Sequence, residues 1–147
     1  MNRKVEERLY AETDGGCAIC GIRDKRVLTI HHIDHKNKKP DDSYDNLIVL
    51  CHNCHTSYHQ GKSLKISEIK KIKKRLIQKT LTQFGINALK EAKRKESVSG
   101  APFLLSHMLE MGYLRFHELL MGDPDRFDIC IYVITKKGED LLNKWKL

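Results

Sequence analysis

The hydrophobic pattern of the 147-residue chain changes period several times, and each change predicts an element. Residues 2–12 read as a helix, broken by Asp14-Gly15-Gly16. "RVLTIHHI", residues 26–33, is β-branched and apolar and predicts a strand. The polar stretch 34–46, with one proline, predicts a loop, and "NLIVLC", residues 46–51, a second strand. "HNCHTSYHQG" predicts a short helix ended by Gly61. Ser67 then starts a helix over about 66–80. Its Ile66, Ile69, Ile72, Leu76, Ile77 and Leu81 recur at three- and four-residue steps and form one apolar face.

Beyond it the pattern predicts a helix over about 86–96, a break at Ser97–Gly100 and a helix in "APFLLSHMLEM" stopped by Gly112. Two strands follow, at about 113–119 and 128–134, joined by the turn-rich "MGDPDRF". Thr135 caps a last helix, "KKGEDLLNKW".

Charge sharpens this outline. The formal net charge is +8, and its distribution is uneven. Residues 1–60 hold nine Lys/Arg and nine Asp/Glu, whereas residues 61–96 hold twelve Lys/Arg and three Glu. The basic excess therefore sits in one middle segment. Lys70, Lys71, Lys73, Lys74 and Arg75 crowd the predicted 66–80 helix, which points to a polyanion partner. The chain has no apolar run of about 18 residues and no apolar signal segment in "MNRKVEERLY". A cytoplasmic protein with no membrane partner is expected.

Four of the five cysteines fall in pairs, Cys17/Cys20 and Cys51/Cys54. In a chain kept reduced, two C-x₂-C pairs read as metal ligands and not disulfides. Four thiolates satisfy a tetrahedral Zn²⁺ and leave no position open, so its role would be structural. Such a staple suits a core this small. Cys130 stands alone in an apolar stretch and reads as a buried small hydrophobe.

The histidines are a separate group. "IHHIDH" places His31 and His32 at the end of the first predicted strand. Asn46 begins the second strand, and His55 directly follows Cys54 on the short helix. His59, four residues after His55, shares its helix face and is a candidate further metal ligand. His35 reads as a loop position, His52 as exposed, and His107 and His117 as structural.

"CAICG", "LTIHHID" and "DNLIVLCHNCH" together resemble the HNH endonuclease family, with its ββα-metal fold. The resemblance implies a metal-dependent DNA endonuclease. It makes His32 the general base, Asn46 the residue that keeps the base aligned, and His31 and His55 ligands of one catalytic divalent metal. Mg²⁺, Mn²⁺, Ni²⁺ and Zn²⁺ are the candidates. It also suggests a phage, mobile-element, restriction or defence setting. The chemistry is consistent: hydrolysis of a phosphodiester needs a base for water and a cation for the developing charge. Neutral imidazole supplies the base near physiological pH.

The expected architecture is α+β: a small zinc-stapled ββα-metal domain over residues 1–62, then a basic helix and a mostly helical, winged-helix-like domain over 63–147. In that second domain, "LLSHMLEMGYL" followed by "IYVITKKGEDLL" carries the winged-helix resemblance. Its third helix, residues 100–111, lacks Lys and Arg, and the wing tip sets Asp123, Asp125 and Asp128 against Arg126. That favours a scaffold or homodimer contact over DNA reading. Two rival readings remain open: a non-catalytic zinc-dependent DNA-binding regulator, and a nuclease directed at RNA.

Overall fold

The computed structural model describes residues 2–34, 41–61, 64–122 and 128–147. His35, Asp123, Asp125 and Arg126 lie outside the described residues. The chain forms two compact units, Met1–Thr80 and Leu81–Leu147. The boundary between these compact units falls after Thr80, inside a helix. The first arm of that helix is built into the first unit.

In the first unit, α1 (Arg3–Glu12) starts at Asn2, whose side chain accepts the Lys4 N–H, a standard use of Asn at a helix start. Strand β1 (Leu28–His32) pairs antiparallel with β2 (Leu47–Cys51), with Leu28 opposite Cys51 and His32 opposite Leu47. Both strands are shorter than the apolar runs predict. Lys25–Val27 and Tyr44–Asn46 form single 3₁₀ turns that lead into them. The unbroken apolar run of β2 reflects burial on both faces: Leu47, Ile48, Val49 and Leu50 are fully buried, and α1 and α2 both pack against the strand. Helix α2 (His52–His59) ends where Gly61 takes a φ of +64°, a conformation that suits glycine best.

Helix α3 (Ile66–Lys95) merges the two helices expected at 66–80 and 86–96. They are separated by Thr82, with φ 60° and ψ 163°. Positive φ is strained for a β-branched residue. Its hydroxyl accepts the Gly85 N–H at 3.4 Å and so caps the second arm. The first arm opens with Glu68 accepting the Lys65 N–H, half of a capping box.

The second unit holds β3 (Val98–Gly100), α4 (Pro102–Glu110), β4 (Leu114–Met121), β5 (Ile129–Ile134) and α5 (Lys136–Trp145). The strands form one antiparallel sheet in the order β3-β5-β4. Ser97–Gly100, expected as a break, contributes a strand whose Val98 lies opposite Tyr132. Three residues are too few to show an alternation, and their partner is distant in sequence. Thr135 caps α5 as expected, accepting the Gly138 N–H at 3.1 Å. A Cβ on Gly138 would lie 2.4 Å from the Tyr113 carbonyl oxygen, so only glycine allows this close approach of helix to backbone. Cys130 is buried, as its apolar setting implies.

Candidate metal centres and active site

The cysteine pairs meet as the spacing predicts. The first pair sits on a tight turn in which Cys17 N–H bonds Ile22 O and Gly21 N–H bonds Cys17 O. Ala18 N–H reaches Val49 O and ties that turn to β2. The second pair spans the end of β2 and the first turn of α2. Cys17, Cys20, Cys51 and Cys54 place their sulfurs within 4.8 Å of one another, and Cys20 and Cys51 are 3.6 Å apart. Zn–S bonds of about 2.3 Å in a tetrahedron put sulfurs about 3.8 Å apart. Burial opposes ionisation of Cys17, but the N–H groups of Cys20, Ile19 and Cys51 outweigh it and bring the thiol down to about 7. Burial and the neighbouring thiols push Cys54 up instead. Four thiols this close repel one another as thiolates, and a divalent cation removes that repulsion. The set fits a structural zinc.

The histidines form a second cluster on the other partners of the same hairpin. His31, on β1, is buried and meets His55 and His59 from consecutive turns of α2. The ligand nitrogens of the three lie within 4.8 Å of one another, and His55 Nε2 is 3.1 Å from His59 Nε2. Metal–nitrogen bonds of about 2.1 Å place neighbouring nitrogens about 3.0–3.4 Å apart, so this edge fits one ion. Ring centroids lie 4.8 Å apart for His31–His55 and 5.2 Å for His31–His59. The Tyr58 ring packs edge-on against His31 at 5.0 Å. His32 does not join this cluster. Successive strand residues face opposite sides, and its Nε2 lies 2.8 Å from Asp42 Oδ1. Asn46 is buried. Its side chain accepts the Asp34 N–H at 3.0 Å and donates to Asp34 O at 3.3 Å and Asp41 O at 3.0 Å. It thus pins both ends of the β1–β2 connection.

Two antiparallel strands and a helix here carry a closed four-sulfur set and an open three-imidazole set. Residues 17–61 match the family model of the HNH endonucleases. No curated protein and no solved structure matches the chain. The HNH match indicates nuclease activity in general and a nucleic-acid substrate, and it ends before α3 begins.

Downstream of the HNH segment, the basic helix is less uniform than its sequence suggests. Lys70, Lys71 and Arg75 are exposed and Lys74 is half-buried. Lys73 corrects the expectation of a nucleic-acid contact: it is fully buried, with Nζ 2.7 Å from Glu12 Oε1 and 3.8 Å from the centre of the Tyr44 ring. Tyr44 OH donates to the other Glu12 oxygen. Burial pushes the Glu12 carboxyl up, against the pull of Lys73 and Tyr44. The buried stripe of the first arm runs Ile69, Lys73, Ile77, Leu81, whereas Ile66 is exposed. The signal was present in the sequence: Lys73 lies four residues from both Ile69 and Ile77, on the apolar face.

Asp42 and Tyr44 are the site residues that sequence reasoning passed over, because "DDSYDN" reads only as a polar loop. His52 is exposed, as expected, and His107 packs within the second unit, with Nε2 3.3 Å from Leu81 O. No helix among the described residues is long and apolar enough to cross a membrane.

Proposed function

We propose that the protein is a metal-dependent HNH endonuclease that hydrolyses DNA phosphodiester bonds with His32 as general base. The observation that carries this is the convergence of His31, His55 and His59 within the segment matched to the family, with His32 next to His31 on β1. A divalent cation on the three imidazoles would stabilise charge on the scissile phosphate and the leaving oxygen. His32 takes the proton of the attacking water, and Asn46 keeps the hairpin end that carries His32 in register. Three neutral donors without a carboxylate favour Ni²⁺ or Zn²⁺ over Mg²⁺. Exposed Lys70, Lys71 and Arg75 supply phosphate contacts outside the site.

The regulator reading explains the cysteines and the basic helix but leaves the imidazole cluster without a role. The second unit is read as a winged-helix-like scaffold. Exposed Phe103, Phe116, Leu119 and Leu120 support a contact between two copies. A phage, mobile-element, restriction or defence setting follows the family reading.

The test is incubation of the zinc-loaded protein with supercoiled plasmid and Mg²⁺, Mn²⁺, Ni²⁺ or Zn²⁺ in turn, with an EDTA control. Cleavage is expected, fastest with Ni²⁺ or Zn²⁺. His32→Ala should slow it by about 10²–10⁴-fold with unchanged zinc content. An intact plasmid with every metal overturns the reading.

A further inference from the structure

His32 makes one contact that the family match does not account for. Its Nε2 is 2.8 Å from Asp42 Oδ1. An ionised carboxylate can only accept hydrogen bonds. The proton in this bond therefore belongs to Nε2, and the neutral ring keeps its lone pair on Nδ1. A histidine of this kind has its tautomer chosen by its partner, as a carboxylate does for imidazoles in other catalytic settings.

The position of Asp42 is itself determined. Asp41 Oδ1 accepts the Ser43 N–H at 3.0 Å, which closes a turn around residue 42. Asn46, 1 % exposed, holds Asp41 O from one side of the connection and both backbone groups of Asp34 from the other. The Ile33 N–H bonds Asn46 O at 2.8 Å and continues the strand pairing past His32. The backbone on both sides of the His32–Asp42 pair is thus fixed by one buried amide.

We propose that Asp42 is a positioning residue for His32: it holds the ring with the proton on Nε2 and leaves Nδ1 as the nitrogen that accepts the proton of water. This rests on the reading of His32 as the base. In the step, Nδ1 takes one proton from water. The oxygen forms a bond to phosphorus, and the bond from phosphorus to the 3′-oxygen breaks, its electron pair leaving with that oxygen. The oxygen is then protonated by solvent. Nε2–H stays donated to Asp42 throughout. Asn46 acts one step further back, by holding the Asp41 carbonyl next to Asp42.

The test uses the full chain, zinc-loaded, with histidine ring nitrogens labelled. Long-range proton–nitrogen correlation spectra read which ring nitrogen carries the proton, with His32→Ala assigning the signal. Wild type should show the Nε2–H tautomer at His32, and Asp42→Ala should lose it. Asp42 is exposed, so the variant should fold. Its kcat should fall about 10- to 100-fold while KM stays within about threefold, because the base is misplaced and substrate binding is not. Asp42→Asn should not rescue, since its amide can donate to Nε2 and force the proton to Nδ1. Asp42→Glu should recover part of kcat. An Nδ1–H tautomer in wild type, or an unchanged kcat in Asp42→Ala, overturns the proposal. If wild type cleaves nothing, the endonuclease reading fails, and the spectra still decide whether Asp42 sets the tautomer.

Discussion

The two units of the chain are built on different interiors. Among the described residues, every buried polar or charged residue, Glu12, His31, Asp45, Asn46 and Lys73, belongs to the first unit. The second unit buries Leu89, Leu105, Met108, Tyr113, Leu114, Tyr132, Leu141 and Trp145, an apolar core of ordinary kind. Buried polar groups cost free energy unless paired, and each needs a specific partner. In the first unit they are paired: Asn46 spans the hairpin ends, and Glu12 meets Lys73 and Tyr44, the latter in the turn that leads to Asn46. The second unit shows what packing alone produces, and it lacks a comparable cluster of ligands among its described residues.

The largest way to break this comparison is to remove the metal. The first unit has short strands and two C-x₂-C turns in place of a large apolar core, so its fold should depend on zinc. Chelation of the zinc-loaded protein, or Cys51→Ser, should unfold the first unit and leave the second folded. Amide spectra read this directly: signals of residues 2–61 should collapse to unfolded positions, and those of 98–147 should persist. Signals that stay dispersed in both units would show that the apolar strand β2 suffices without metal.

Much of this difference was legible in the sequence, for identifiable reasons. The two C-x₂-C spacings pointed to a shared metal, and the four-residue step placed His55 and His59 on one helix face, whereas the place of His31 with them followed from the HNH resemblance. The strands and helices followed their hydrophobic periods. What stayed hidden depended on partners far along the chain. Val98–Gly100 is a strand only because Cys130–Tyr132 lies beside it. The place of Lys73 on the apolar face was legible, but its partner Glu12, 61 residues away in the chain, was not. Asp42 read as a polar loop residue because its partner His32 stands across the hairpin.

A smaller perturbation tests the ionic interior itself. Lys73→Met leaves Glu12 buried without its cation, and loss of one partner of a buried pair typically costs about 3–5 kcal/mol. Replacing both groups, Glu12→Leu with Lys73→Met, should recover most of that loss, since a well-packed apolar pair avoids the desolvation. Leu89→Ala in the second unit should cost about 2–5 kcal/mol by opening a cavity. Urea unfolding of the zinc-loaded variants provides the comparison. A single Lys73→Met as stable as wild type would mean that the pair contributes nothing and that the first unit is apolar in all but appearance.

The smallest effect on the protein concerns its charged surface. Lys70, Lys71 and Arg75 stand exposed on the first arm of α3, while the buried Lys73 does not contribute. The second unit carries its own exposed cations, Lys136 and Lys137, which engage Asp140 and the Met111 carbonyl oxygen. Cations already paired within the protein have less to offer a phosphate. Replacing Lys70, Lys71 and Arg75 with Gln preserves helix propensity and removes three charges, so stability should stay near wild type. Each lost phosphate contact lowers the log–log salt slope of duplex binding by about 0.9. The triple variant should therefore show a slope shallower by up to about 2.7 and weaker binding to every sequence tested. Lys136→Gln with Lys137→Gln should change neither by more than about a third as much. Fluorescence anisotropy on a labelled duplex, in a His32→Ala background that prevents cleavage, measures both. A larger loss from the Lys136/Lys137 variant would move the DNA contact to the second unit and reverse the division of labour between the two.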